Sequence, residues 1–256
     1  MIKYGLKLWS TNKNHFNEAV KLYKNGLIDF IELYVVPNAL CKEDLIIFKN
    51  IPVQLHTMHS LHDFDIFDLS KKKINLFKNQ ILKLADFLNT KHIILHAGIG
   101  DNYKIFKKNI AKIYDKRIII ENLPKIGLDK KNCFGYSLAQ LNFIKKTCKL
   151  NICFDFAHAI KSAKSQNLNH KSYLKSLIRQ LNPCYFHIDG CNTHKEKDEH
   201  LDLPKGNFDI KWAKKLLTEL SLKKDVLLVF ETPKHGNNLK NDIKNINYFK
   251  NLKTNG

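Results

Sequence analysis

The sequence predicts an α/β protein, a single (β/α)8 TIM barrel over residues 1–256. Three observations predict it. Eight short apolar runs alternate with helix-patterned segments at short intervals, and eight βα units in about 250 residues is the barrel count. The runs are continuously apolar over about four to seven residues, as expected of parallel strands covered on both faces. No G-x-G-x-x-G turn follows an early strand, where an open doubly wound sheet would carry one. No repeat and no Pro/Ser-rich linker divides the chain, so one domain is expected.

Taken in order, Lys3 to Trp9 alternates and reads as the first strand. Lys13 to Asn25 carries Phe16, Ala19, Val20 and Leu22 at helical spacing, and Gly26 ends it. Ile28 to Val36 is a second strand closed by Pro37, Glu43 to Phe48 a short helix, and Val53 to Leu55 a third strand. Ser70 is a fair N-cap for a long helix from Lys71 to Leu88, with Ile74, Phe77, Ile81, Leu82, Leu84 and Ala85 on its apolar side. His92 to Leu95, Arg117 to Ile120 and Asn151 to Phe154 are strands four to six, separated by helices at Tyr103 to Ile113 and, capped by Ser137, Leu138 to Thr147. A helix follows from His158, breaks between Ser165 and His170, and resumes to Leu181. Tyr185 to Ile188 and Asp225 to Phe230 are the last strands, each followed by a helix, at Phe208 to Leu220 and Leu239 to Leu252.

No apolar run approaches the ~20 residues that span a bilayer. The first residues lack the charged, apolar and small-residue order of a secretory signal, so a cytoplasmic protein is expected. The six cysteines form no C-x-x-C pair and read as reduced thiols, with Cys153 and Cys184 in strand-like runs and Cys191 in a loop. The net charge of +19 favours polyanions such as nucleic acid or phosphorylated sugars. That charge is spread through a Lys- and Asn-rich chain rather than gathered in one block, and Lys71 to Lys73 reads as a solvated helix face.

The strand ends carry the chemistry. In a barrel, the C-terminal strand ends converge on one mouth. Strand three ends on His56, strand four on His96, strand five on Glu121 and strand six on Asp155 with His158 just beyond. Strand seven carries His187, its loop Asp198, Glu199 and His200, and strand eight ends on Glu231. Each alone reads as a surface or hydrogen-bonded group. Six consecutive strands ending this way would gather imidazoles and carboxylates that burial cannot tolerate uncompensated. Metal ions would compensate them. Five His, two Glu and two Asp, with no Cys, suit zinc, with manganese or iron as alternatives, and nine ligands imply two or three ions with Glu or Asp bridging. His59 and His62 follow His56 and compete with it as ligand; His56 is preferred because it ends its strand. His15, His92, His170, His194 and His235 stand at helix, strand-start or loop positions and are given no role.

The segments L-H-A-G at 95–98, E-N at 121–122, F-D-F-A-H at 154–158, F-H-I-D at 186–189, D-E-H-L-D-L-P-K-G-N at 198–207 and E-T-P at 231–233 together resemble the endonuclease IV family (AP endonuclease family 2), within the xylose isomerase-like barrels. The resemblance implies a trinuclear zinc site on His56, His96, Glu121, Asp155, His158, His187, Asp198, His200 and Glu231. It also implies hydrolysis of phosphodiesters at abasic sites in DNA. Such ions hold the phosphodiester, acidify a bridging water and stabilise the leaving oxygen. Glu121 and Glu231 would bridge, one of them orienting the attacking water. Met58, Leu61 and Lys205 are the substrate-side candidates, with Phe64 beside them.

Several departures concern the substrate side. The loop V-V-P-N-A-L-C-K-E-D after strand two is short and weakly basic, and T-M-H-S-L-H-D-F after strand three lacks the family's tyrosine. Ala97 stands where family loops often have proline, and Pro204-Lys205-Gly206 where they read G-E-G. A sugar or sugar-phosphate isomerase or epimerase of the same superfamily is therefore the alternative. There one Mn, Mg or Co ion would sit on Glu121, Asp155, His187 and Glu231, and the paired glutamates would shuttle a proton beside a carbonyl. A barrel that only binds a ligand is the third and weakest reading. Neither the part played by Asp189 nor the oligomeric state is legible.

Overall fold

A computed structural model describes residues 1–128 and 130–253. Eight parallel strands close into a barrel in sequence order, each paired with its neighbours and the last with the first. The strands and helices are β1 (Ile2–Trp9), α1 (Phe16–Lys24), β2 (Phe30–Tyr34), α2 (Lys42–Leu45), β3 (Val53–His56), α3 (Lys71–Leu76), α4 (Lys83–Phe87), β4 (Ile93–His96), α5 (Tyr103–Lys112), β5 (Ile118–Glu121), α6 (Leu138–Lys146), β6 (Asn151–Asp155), α7 (Phe156–Ser165), α8 (His170–Leu181), β7 (Tyr185–Ile188), α9 (Ile210–Ser221), β8 (Val226–Phe230) and α10 (Lys240–Asn251). The predicted (β/α)8 fold is therefore present. Among the described residues no helix is long and apolar enough to cross a membrane.

Three boundaries differ from the sequence expectation in informative ways. The helix expected over Lys71 to Leu88 is continuous in course, but its middle, Phe77–Leu82, is π-helical. That wider turn separates α3, which buries nothing, from the stretch that buries Phe77, Ile81 and Ala85. The helix expected from His158 starts at Phe156 instead, because the Asp155 carboxylate accepts the His158 backbone N–H at 2.6 Å and caps it. The strand ends His56, His96, Glu121 and Asp155 belong to the strands themselves, paired in register with their neighbours.

Two apolar layers result. The larger lies between barrel and helices; the smaller is a plug of Phe30, Ile94, Ile119, Cys153, Tyr185 and Val229. Its members come from six different strands and touch one another, so they point into the barrel. Strand side chains alternate, so the residue two places on points the same way. Two places after each plug residue stand Glu32, His96, Glu121, Asp155, His187 and Glu231. The same step leads from Gly5 to Lys7 and from Gln54 to His56. The apolar plug is thus the floor on which a ring of ionisable groups is mounted.

Gly5 is required for that floor. A Cβ there would lie 2.5 Å from the Phe30 ring and 2.9 Å from Val229. Gly5→Ala is expected to lower stability by about 1–3 kcal/mol through overpacking, read as a lower denaturation midpoint; an unchanged midpoint would mean that the plug yields freely.

Candidate metal centre

The barrel mouth gathers all nine expected ligands into three groups. Within each group, one atom per residue lies within 4.8 Å of its fellows: His56, His96 and Glu121; Glu121, Asp155, His187 and Glu231; His158, Asp198 and His200. Ligand atoms about 2 Å from one ion are at most ~4–5 Å apart, so each group is of a size to share an ion. Glu121 belongs to two of these groups, with Oε2 3.0 Å from His56 Nε2 and Oε1 3.5 Å from His187 Nδ1. Asp198 Oδ2 lies between His158 and His200, 3.5 and 2.8 Å from their Nε2 atoms.

His56 Nε2 and Glu121 Oε2 meet with hydrogen-bond geometry at 3.0 Å, but other donors approach one another without it. His187 Nδ1 is 2.6 Å from Glu231 Oε1, yet it makes no hydrogen bond there. His200 Nδ1 faces Asp189 Oδ2 at 2.8 Å in the same condition. Glu121 Oε1 and Asp155 Oδ2 are buried without a partner as well. Buried polar atoms are normally satisfied. Atoms this close, this buried and not bonded to each other are those expected around a shared cation, so the residues present fit a metal cluster of N/O ligands.

The outer atoms of several rings are tied down as a metal ligand's would be. His56 Nδ1 lies 2.9 Å from the Thr57 carbonyl, leaving Nε2 for the site. His158 Nδ1 lies 2.9 Å from the Asn122 carbonyl. The Asn122 side chain in turn clamps Asp155, accepting from its N–H at 2.8 Å and donating to its carbonyl at 3.0 Å. His187 Nε2 meets the fully buried Glu32 at 2.8 Å, and the Tyr185 hydroxyl donates to the same oxygen at 2.7 Å. Lys161, buried on α7 one turn after His158, donates to the Asn192 carbonyl at 2.9 Å and pairs with Glu199 at 3.3 Å. It ties the loop that carries Asp198 and His200 to the helix that carries His158.

Electrostatics follow from this crowding. Burial, with Asp189, Glu121 and Glu231 nearby, pushes Asp155 up to about 7 despite His158. Burial also lifts Asp189, to about 6, against the pull of His200. Burial would raise Glu32 too, but His187 and Lys7 bring it down to about 2. His158, His187 and His200 resist burial because carboxylates surround them, and all are held well above the ordinary imidazole value. His59 has no carboxylate in contact, and burial beside His96 lowers it to about 2.

Several residues that sequence reasoning passed over are here. Lys7 and Glu32 pair at 3.3 Å on the floor, and Lys7 also contacts Glu231. Their sequence signal was a charge in the middle of an apolar strand. Asp189, left open, backs His200. His59, the rival to His56, stacks on His96 with centroids 4.7 Å apart instead of joining Glu121, and His62 meets the Tyr34 hydroxyl at 2.8 Å. Above the ring opens a cavity of about 670 Å³, and Met58, Leu61 and Phe64 are among the residues that line it. Lys205 lies apart from them: it pairs with Asp202 at 2.8 Å and is not among the lining residues. Its loop turns it outward, while Trp9, Tyr34 and Lys234 take the wall. Cys153 proves to be a plug residue and Cys191 a buried loop thiol, both with ionisation suppressed by burial.

The family described as xylose isomerase-like TIM barrel matches residues 43–252. The chain belongs to that family. No curated protein matches it in sequence. Among solved structures, endonuclease IV from Thermus thermophilus is similar over 97% of each chain, with a TM-score of 0.71 at 17% identity. An AP endonuclease, family 2, from Brucella melitensis is similar over 98% of each chain, with a TM-score of 0.68 at 13% identity. D-psicose 3-epimerase from Clostridium cellulolyticum, solved with D-tagatose, is similar over 94% of this chain and 89% of its own, with a TM-score of 0.62 at 14% identity. At these identities the likeness is one of fold, and it spans both nucleic-acid and sugar enzymes.

The charge state of the site should be visible in stability. In metal-free protein, Asp155 and Asp189 are raised above their unfolded values, as are His158, His187 and His200. Raised groups stabilise at low pH and lose that contribution as pH rises through the folded pKa. His59 and His96 are lowered and act the other way below the ordinary imidazole value, so the window lies above it: chelator-treated protein should melt progressively lower as pH rises from ~7 to ~9; a melting temperature that climbs over that range would contradict the assigned protonation. Lys161→Met should leave the barrel's circular dichroism unchanged and weaken one ion's binding roughly 10–100-fold, as measured by competition with a chromophoric chelator.

Proposed function

We propose that this chain is a metal-dependent phosphodiesterase of the endonuclease IV type, hydrolysing DNA at abasic sites with two or three zinc ions. The observation that carries the reading is the trio of ligand groups at one mouth, with Glu121 shared between two of them. Three adjacent cation positions suit a phosphodiester, whose attacking, non-bridging and leaving oxygens all need charge nearby. An isomerase does not require them. When bound, such ions supply Lewis acidity and lower the pKa of coordinated water.

The chain's own groups divide the remaining tasks. Glu121 and Glu231 are the proposed catalytic carboxylates. Glu231 faces the cavity and takes a proton from, or orients, the attacking water, and Glu121 couples two ligand groups. His56, His96, Asp155, His158, His187, Asp198 and His200 complete the proposed ligand set. Met58 and Leu61 border the substrate space; Leu61, at 66% exposed, is placed to touch a bound duplex. The +19 charge supplies long-range attraction to a polyanion. The whole chain is read as one domain serving this one site.

The sugar reading has one observation in its favour. Glu121, Asp155, His187 and Glu231 alone form a complete four-residue group, and one Mn, Mg or Co ion there, facing a largely apolar cavity, would serve a sugar or sugar-phosphate epimerase. Metal content separates the two readings. Protein purified without chelator should carry two to three zinc ions per chain and cut an abasic duplex; one Mn, Mg or Co ion per chain with ketose isomerisation would replace the first reading with the second.

Asp155→Ala should lose metal and activity with the barrel intact, by more than the ~10–100-fold typical of outer partners. Retention of full activity would remove the site assignment. Duplex binding should also weaken steeply with salt, log affinity falling with log salt by ~0.9 per phosphate contacted. A shallow slope would count against DNA.

A further inference from the structure

Two further groups of metal-capable atoms lie in the ring: Glu121, Cys153 and His187 reuse two residues of the second proposed position with a plug thiol, and a fourth, distinct from that position, lies on the barrel floor. Glu32, His56 and Glu231 each offer an atom within 4.8 Å of the others. This group shares His56 with the first proposed ion position and Glu231 with the second. A divalent ion there would draw two ligands away from the cluster.

That position already holds a cation. Lys7 is the Cα partner of Glu32 across β1 and β2. On its other side, Leu6 pairs with Phe230 of β8, which brings Glu231 alongside Lys7. Nζ of Lys7 lies 3.3 Å from Glu32 Oε1 and in contact with Glu231 Oε1. Glu32 is fully buried, and its second oxygen is taken by Tyr185 and His187. Its Oε1 accepts no hydrogen bond and faces the Lys7 ammonium as its ion-pair partner. An unbonded, buried carboxylate oxygen aimed at an ammonium marks a position built for a positive ion.

We propose that Lys7 is a resident cation that blocks this fourth divalent site and so fixes how many metal ions the barrel mouth takes. The inference rests on the metal-dependent reading of the site, but it concerns a difference in ion number rather than the number itself. The ammonium and a divalent ion exclude one another: they claim the same two carboxylates and would repel at contact. By occupying the floor, Lys7 keeps Glu231 and His56 turned toward the cluster while Glu32 keeps hold of His187. Lys7 is thus a positioning residue. An arginine would preserve its charge. A short neutral side chain would leave Glu32, His56 and Glu231 as an N/O triad of the kind zinc accepts.

Native mass spectrometry of zinc-loaded chains tests this. If the wild type binds n ions, K7A is expected to bind n + 1, K7R n, and the double variant K7A/E32Q n again. K7S is measured beside K7A, so that a folding defect in one leaves the comparison intact, with circular dichroism reporting the barrel. Equal zinc in the wild type and a folded K7A or K7S overturns the proposal. So does an extra ion that survives in K7A/E32Q, which would lie elsewhere. Wild-type protein decides on its own account as well: an extra ion bound under excess zinc and removed by E32Q would show that Lys7 blocks nothing. The value of n reports separately on the proposed function, since n of one removes the cluster reading and leaves the Lys7 comparison valid.

Discussion

The constraint on which this molecule turns is the concentration of negative charge inside a barrel. Glu32, Glu121, Asp155, Asp189 and Glu231 are all buried within one mouth. Uncompensated, such a set would unfold the domain or pick up protons. Without metal ions it picks up protons: Asp155 and Asp189 are raised and three histidines stay charged. Lys7, mounted in the ring itself, compensates permanently. The rest is compensated by protons, and several buried donor atoms remain without a hydrogen-bond partner.

The scaffold fixes these groups by ordinary means. Strand alternation lifts them one step above an apolar plug, so their height in the barrel is set by the backbone and not by side-chain flexibility. Asp155 shows how much one residue can do in such a frame. It ends a strand, caps the next helix through the His158 N–H, is clamped by Asn122 and belongs to the central ligand group. Folding of β6 into α7 therefore sets the spacing between Asp155 and His158 directly. The loop bearing Asp198 and His200 has no such strand geometry, and the buried Lys161 takes over its anchoring.

Above the ring the character changes. The cavity wall is mostly aromatic and aliphatic, with Trp9 against Tyr34 at 4.7 Å between centroids and Leu61 at the rim. A mostly apolar wall lowers the local polarity around the charged groups beneath it, which strengthens the electrostatic contacts among them. The fold is shared with an endonuclease IV and with an epimerase, so the fold alone does not separate those activities.

The sequence by itself determined the barrel and most of the ionisable residues gathered at its mouth. Apolar runs are local, and residues at strand ends are forced to one mouth by the closure of parallel strands, so His56, His96, Glu121, Asp155, His187 and Glu231 could be read as a set. Two kinds of feature escaped it. Lys7 and Glu32 sit mid-strand, where a lone charge on an apolar run reads the same whether it faces solvent or barrel axis. Only the register of β1 with β2 and β8 turns them inward against one another. Lysines outside the strands also escaped: nothing local distinguishes Lys205, which turns out to Asp202, from Lys161 on α7, which is buried against the loop bearing Asp198 and His200. Short-range pattern fixes what a strand presents at its end. Long-range packing alone decides which charges share a space, because the partners that compensate a buried charge come from parts of the chain far apart in sequence.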